Sequence, residues 1–84
     1  TGVRASAELD IRGLETLEAE SVVENYLDAA SRSKLGTVTI IHGKGTGVLR
    51  SAVQEELRRC KYVKSFRLGV YGEGESGVTI VEFK

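Results

Sequence analysis

The sequence predicts an α/β fold, a two-layer sandwich in which two helices cover one face of a mixed four-stranded sheet. Two segments with helical spacing of apolar residues alternate with strand-like segments in the order βαβαββ. Most of the strand-like segments alternate polar and apolar residues, as expected for a sheet with one solvent-exposed face. Successive right-handed crossovers in one direction place both helices on the other face.

The first strand and helix follow from local patterns. Glu8–Arg12 alternates polar and apolar residues and ends at Gly13, which predicts a short strand. Apolar residues with helical spacing then define a helix, with Thr16 as its expected N-cap and Gly36 as its stop. These apolar residues are Ala19, Val22, Val23, Tyr26, Leu27 and Ala30. Residues 1–7 are expected to form a flexible lead, and residues 8–84 the domain.

The second half contains one helix and three strands. Residues 37–41 are all β-branched and predict a strand, whereas apolar residues from Leu49 to Cys60 predict a helix. Residues 63–70 and 78–83 predict two further strands, joined by a mobile hairpin loop over residues 71–77. The side chains expected to face the helices are Leu9, Ile11, Val38, Ile40, Phe66 and Leu68.

Composition limits the possible functions. The 84 residues carry 12 basic and 12 acidic side chains, and residues 31–70 hold nine of the basic ones against two acids. This segment allows a local phosphate-binding face, although ordinary solvated surface is the alternative. A single cysteine, Cys60, excludes an internal disulfide and favours the cytoplasm. Because it falls on the apolar phase of a helix, it is expected in the core, and no segment is apolar enough to cross a membrane.

A glycine-rich loop, His42-Gly43-Lys44-Gly45-Thr46-Gly47, connects the second strand to the second helix. Glycines let the backbone approach a ligand and adopt positive φ, which we expect at Gly45 in particular. Amide groups at the helix start attract an anion, and a lysine, a hydroxyl and a histidine accompany them. The spacing matches neither a Walker A loop nor the Rossmann fingerprint. The loop therefore predicts a phosphate site, with a purely structural turn as the alternative.

Asp10 and Arg12 are predicted to lie beside this loop. If the first two strands are parallel, their carboxyl ends meet at one edge of the sheet, where Asp10 and Arg12 converge with His42 and Lys44. A carboxylate, a histidine and two cations around an anion site suit cleavage of a phosphodiester bond. A surface ion pair is the alternative interpretation of Asp10 and Arg12.

These segments together resemble the Smr (small MutS-related) domain. The resemblance rests on Leu9–Gly13, His42–Gly47 and Gly74–Gly77 followed by Val78–Val81, and it extends over residues 8–84. It is strongest to the Smr domain that ends the second bacterial MutS family, the anti-recombination paralogue. The family implies a fold like the C-terminal domain of translation initiation factor three. It also implies nucleic-acid binding and, in many members, endonuclease activity.

The resemblance suggests a role for each residue. Asp10 would position water or a divalent ion, His42 would transfer a proton, and Arg12 and Lys44 would stabilise the charge on phosphorus. The loop Gly43–Gly47, with Thr46 and Arg50, would hold a neighbouring phosphate. Arg12 stands where many stand-alone members have histidine, and arginine cannot serve as a base near neutral pH. If the reaction uses Mg²⁺ or Mn²⁺, Asp10 and Glu8 are the candidate ligands.

Two functions are consistent with these residues and with the resemblance. The first is an endonuclease domain that nicks DNA, in branched or recombination intermediates, within a homodimeric MutS-like ATPase. The second is a non-catalytic module that binds nucleic acid, or the ribosome and its RNA, during ribosome rescue. A small-molecule phosphate-binding or acyl-transfer enzyme is disfavoured, because no nucleophile has a base beside it.

Overall fold

The computed structural model describes residues 7–70, 72 and 75–84. Within them the predicted element order is confirmed, with one added 3₁₀ turn. The elements are β1 (Glu8–Asp10), α1 (Thr16–Arg32), β2 (Thr37–Ile41), α2 (Val48–Arg59), β3 (Val63–Leu68), the 3₁₀ turn (Glu75–Gly77) and β4 (Val78–Phe83).

The four strands form one mixed sheet in the order β1-β2-β4-β3. β1 pairs with β2 in parallel, and β4 runs antiparallel to both β2 and β3. β1, β2 and β3 therefore all end at one edge of the sheet, here called the carboxyl edge. The opposite edge, where β2 and β3 begin and β4 ends, is called the amino edge. The predicted α/β sandwich is confirmed.

The core lies between the sheet and the two helices, which pack against each other on one face. α1 contributes four buried residues with helical spacing, Ala19, Val23, Leu27 and Ala30. α2 contributes Val53 and Leu57, and the sheet side contributes Ile11, Val38, Ile40 and Val81. Each fully buried Val, Leu or Ile side chain stabilises the fold by about 1.5–3 kcal/mol, so this layer holds the strand ends in fixed positions.

Leu68 does not face the helices as predicted, since 37% of it is exposed. It is the last residue of β3, an edge strand with a partner on one side only. β3 is also shorter than predicted and ends at Leu68 rather than Val70. Cys60 was expected in the core, on the second helix. It lies directly after α2 and packs, partly buried, against the core.

Both ends of α1 differ from prediction. Thr16 is the first helical residue, and Glu15 occupies the N-cap position without a side-chain hydrogen bond. At the other end the chain turns at Lys34, which has a φ of 60°, and not at Gly36. The Leu35 amide donates to the Ala30 carbonyl and the Lys34 amide to that of Ser31. These two bonds form a Schellman cap with lysine in the left-handed position that glycine usually occupies.

The remaining connections adjoin β1 and β4. Ala7, assigned above to the lead, accepts a hydrogen bond from the Thr39 amide at 2.8 Å, while residues 1–6 lie outside the described residues. Part of the predicted loop at 71–77 is the 3₁₀ turn, whereas Tyr71, Glu73 and Gly74 lie outside the described residues. Among the described residues, no helix has the length and apolar character that spanning a bilayer requires.

Candidate functional site

The glycine loop bends at its two ends and not at its centre. Gly43 and Gly47 have φ values of 84° and 87°, in the left-handed region that favours glycine. Gly45, expected to adopt positive φ, does not, and a Cβ there would meet open space. The conformational requirement for glycine therefore lies at the junctions of the loop with β2 and α2.

The start of the loop is fixed to the start of β4. The amides of His42 and Gly43 both donate to the carbonyl of Gly77, at 3.1 and 2.9 Å. Gly77 is buried, and a Cβ on it would lie 3.3 Å from the Lys44 Cγ. These two loop amides point into the protein, so a ligand can reach only the amides from Lys44 onward.

The His42 side chain lies beneath the loop and is 4% exposed. Its Nδ1 lies 2.9 Å from the Gly43 carbonyl, and its Nε2 lies 2.8 Å from the hydroxyl of Thr79, which is fully buried. A carbonyl oxygen only accepts hydrogen bonds, so Nδ1 carries the proton and Nε2 accepts from Thr79. The neutral imidazole thus joins the loop to β4.

The surroundings of His42 oppose its protonation. Burial lowers the pKa of the imidazole, and the nearby Arg50 charge lowers it further, although the bond to Gly43 raises it. Because both nitrogens already have partners, transfer of a proton to substrate would require the bond to Thr79 to open. The geometry favours a positioning role for His42 over the predicted role in proton transfer.

Asp10 and Arg12 form a bidentate ion pair at the carboxyl edge. The Arg12 Nε lies 3.0 Å from Asp10 Oδ1, and its Nη2 lies 2.7 Å from Oδ2. The Arg12 amide also donates to Oδ1, at 3.0 Å. These bonds lower the pKa of the Asp10 carboxyl to about 2, because each is stronger to the ionised form. Asp10 is therefore an anion at neutral pH and only a weak base.

Arg12 brings this pair to the glycine loop. A Cβ built on Gly43 would lie 3.5 Å from the Arg12 Cγ, so the arginine stem covers the face of Gly43. Asp10 engages one side of the guanidinium, and Arg12 Nη1 has no hydrogen-bond partner among the described residues. The predicted position of Arg12 beside the loop is confirmed at Gly43, whereas the His42 ring bonds to Gly43 and Thr79 and Lys44 approaches Glu75.

Two further cations flank the loop. The Lys44 Nζ lies 3.9 Å from a Glu75 carboxylate oxygen, and both side chains are exposed. The Arg50 Nη2 would lie 2.8 Å from a Cβ on Gly47, so its guanidinium lies over that glycine. Arg50 forms no ion pair with the acids that the structure describes. Arg12, Lys44 and Arg50 thus surround the loop with positive charge.

The start of α2 lies between these cations. A cavity of about 220 Å³ is lined by His42, Gly43 and residues 45–50. The N-cap residue Gly47 has no side chain to cap the helix, and the Thr46 hydroxyl accepts a hydrogen bond from the Val48 amide, at 3.4 Å. The first intrahelical bond runs from Ser51 to Gly47, which leaves the amides of Leu49 and Arg50 for a ligand. An anion there gains both amide donors and the helix dipole.

The proposed metal ligands Glu8 and Asp10 are two residues apart in β1, on the outward face. In the described part of the chain, no three His, Cys, Asp or Glu side chains group as a metal site would. An ion held by this pair would therefore take its other ligands from water or from substrate oxygens.

Sequence reasoning missed Thr79 and Gly77. Thr79 occurs in a β-branched strand, where threonine is common, so its hydroxyl carried no distinct signal. Its bond to His42 joins residues 37 apart in sequence and depends on the pairing of β2 with β4.

The basic segment 31–70 does not form a single face. Lys44 and Arg50 lie at the carboxyl edge beside the loop. Most of the other cations lie toward the amino edge, near the ends of both helices and the start of β3. They are Arg32, Lys34, Arg58, Arg59, Lys61 and Lys64.

Comparisons with known proteins identify the fold family. The model of the Smr domain matches residues 9–84. Endonuclease MutS2 of Acetivibrio thermocellus is 61% identical over 79 residues, and that of Ruminiclostridium cellulolyticum is 54% identical over 79 residues. Each alignment covers 94% of this chain and 10% of the relative, so the chain spans about a tenth of their length.

Two solved structures share the fold. The crystal structure of the Smr domain of Thermus thermophilus MutS2 has a TM-score of 0.88 and 45% identity, over 98% of this chain and 99% of that one. YdaL, a stand-alone small MutS-related protein from Escherichia coli, has a TM-score of 0.88 and 26% identity, over 93% of this chain and 64% of that one. With the family model matched across both the Asp10–Arg12 pair and the glycine loop, the chain belongs to the Smr domain family.

Proposed function

We propose that this domain binds the phosphodiester backbone of nucleic acid at the glycine loop and nicks it, with DNA as the substrate. The proposal draws on the relatives named endonuclease MutS2, of which the chain matches a tenth. In this view the domain provides the nucleic-acid contact and the nicking site of a larger MutS-like protein.

One observation carries the proposal, namely the position of Arg12 over Gly43. Asp10 fixes the guanidinium by a bidentate bond, and Nη1 is left for a phosphate oxygen. Lys44 and Arg50 flank the same loop, and the α2 amides add donors without charge. Arginine suits this position because its planar donors match phosphate oxygens.

The reaction requires water to attack phosphorus and a P–O bond to break. Arg12 and Lys44 would stabilise the charge that grows on the phosphoryl oxygens. Asp10, ionised above pH 2, would orient the attacking water, directly or as a ligand of Mg²⁺ or Mn²⁺. His42 would act through the loop, by holding Gly43 in the conformation that Arg12 covers.

The test is nicking of supercoiled plasmid, and cleavage of RNA, with and without Mg²⁺ or Mn²⁺. We expect Asp10→Asn to lower the nicking rate about 100-fold or more while binding persists, because its anion does not attract phosphate. Asp28→Asn is the matched control, since Asp28 also pairs with an arginine at 2.7 Å but lies on α1. An unchanged rate in Asp10→Asn would remove the reaction from this site.

A specific observation favours a second function, binding without cleavage. Asp10 has a pKa of about 2 and His42 has both nitrogens bonded, so neither is poised as a base near neutral pH. Such a module would hold a DNA junction or ribosomal RNA for another part of the protein. Tight binding without nicking under every metal condition would favour it.

A further inference from the structure

The amino edge carries a groove that the proposed site does not use. Its volume is about 270 Å³, and its lining includes Lys34, Gly36, Lys61, Tyr62 and Lys84. The Lys84 amide donates to the Tyr62 carbonyl and the Phe83 amide to that of Gly36, which fixes these segments side by side. The five residues of β2, about 16 Å in length, separate this groove from the glycine loop.

Three lysines of the groove, Lys34, Lys61 and Lys84, form no ion pair with the acids that the structure describes. Cations nearby on the helices differ, because Arg32 pairs with Asp28 at 2.7 Å and Arg58 with Glu55 at 3.3 Å. The three ammonium groups are thus open to a ligand, while Glu24, Asp28 and Glu56 line an adjoining cavity that shares Lys61 and Tyr62.

An aromatic ring lies among these lysines. Tyr62 is 41% exposed, and the Lys61 ammonium lies 5.5 Å from its ring centroid. Its backbone is held by Lys84, so the ring is presented from a fixed position. Unpaired bases stack on exposed aromatic rings, and lysines beside the ring attract the phosphates that flank those bases.

We propose that this groove is a second nucleic-acid contact, which takes a single-stranded segment with a base on Tyr62 and phosphates on Lys34, Lys61 and Lys84. The inference rests on the proposed function, because the occupant is a further part of the nucleic acid held at the glycine loop. Lysines alone would also suit an acidic peptide, but the exposed ring favours bases. The domain would then contact nucleic acid at both edges of its sheet.

The test compares two triple variants of the 84-residue chain in titrations with a 30-nucleotide single strand from low to high salt. The first variant is Lys34→Gln, Lys61→Gln and Lys84→Gln. The control is Arg32→Gln, Arg58→Gln and Lys64→Gln, which changes the net charge equally outside the groove. Lys34 already has a Cβ at a φ of 60°, so its replacement by Gln adds no new backbone strain. Thermal melting checks that both variants fold.

The slope of log K against log salt is negative. We expect the groove variant to reduce its magnitude by about 2, as three lost phosphate contacts require, and the control to reduce it less. Equal slopes in the two variants would show that only net charge matters and would overturn the proposal. Poly-glutamate that binds the wild type as tightly as the oligonucleotide would also overturn it. Lys44→Gln reports on the glycine loop separately, so loss of binding there with an unchanged groove variant would refute the groove alone.

Discussion

The hydroxyl of Thr79 supplies the donor for the buried imidazole that supports the loop. The Gly43 carbonyl can only accept, so it holds the His42 proton on Nδ1, and Thr79 donates to the unprotonated Nε2. Because the hydroxyl is fully buried, no solvent can replace it as donor. One side chain of β4 thereby fixes the backbone on which Arg12 lies.

We predict that Thr79→Val lowers the free energy of unfolding by about 1–3 kcal/mol, since Nε2 is left buried without a donor. Thr79→Ser keeps the hydroxyl and should retain the proton on Nδ1, which nitrogen NMR of the imidazole reports. Denaturant titration gives the stability of both variants. Equal Nε2 resonances in the Val and Ser variants would show that Thr79 does not donate to that nitrogen.

Gly47→Ala should lower both stability and nucleic-acid affinity, whereas Gly45→Ala should lower neither. Gly47 has a φ of 87°, and a Cβ there would displace the Arg50 guanidinium from a position 2.8 Å away. We expect a loss of about 1–2 kcal/mol from left-handed strain, and weaker nucleic-acid binding as Arg50 moves. Gly45 has neither constraint, so it is the matched control in melting and binding titrations. Similar losses in both variants would contradict this assignment of the loop's bends.

In α2, burial disfavours the ionised form of one carboxylate, that of Glu56. Glu56 is on the core side of the helix, and burial raises the pKa of its carboxyl, opposed by Arg59 and reinforced by Glu24, Glu20 and Glu55. The unfolded chain ionises this group near its ordinary pKa of 4.5. A raised folded pKa means that the ionised form destabilises the fold above that pH.

Glu56→Gln should therefore raise the free energy of unfolding at pH 7. The gain should shrink as the pH falls through the folded pKa and should vanish below 4.5, where wild-type Glu56 is neutral in both states. Glu55→Gln on the exposed face is the control, measured by denaturant titration across the same pH range. A gain that persists at pH 4 would mean that the pKa of Glu56 is not its origin.

Elements could be predicted from the sequence more securely than their ends. The apolar spacing of α1 follows from burial of one helix face, and Ala19, Val23 and Leu27 are indeed buried. Its C-terminus could not be predicted, because the glycine at 36 was a stronger local signal than Lys34. Lysine is tolerated in the left-handed position since two hydrogen bonds of the cap hold it there.

The parallel pairing of β1 and β2 is the feature of the fold that brings the two parts of the site together. It places Arg12 on Gly43 from two segments 31 residues apart, as the alternation and crossover rules predicted. The division of the basic segment between two edges could not be predicted, because it depends on where each helix ends in space. The sequence showed only that residues 31–70 are basic, and the fold divides most of these cations between the two edges of the sheet.

Phosphate should bind where the loop meets α2, and an amide NMR titration of the domain with an oligonucleotide shows whether it does. We predict that the largest chemical-shift changes occur at the amides of residues 45–50, which line the cavity, and that those of His42 and Gly43, bonded to Gly77, change less. Chemical-shift changes that spare residues 45–50 while the oligonucleotide binds elsewhere on the domain would contradict a phosphate site at this loop.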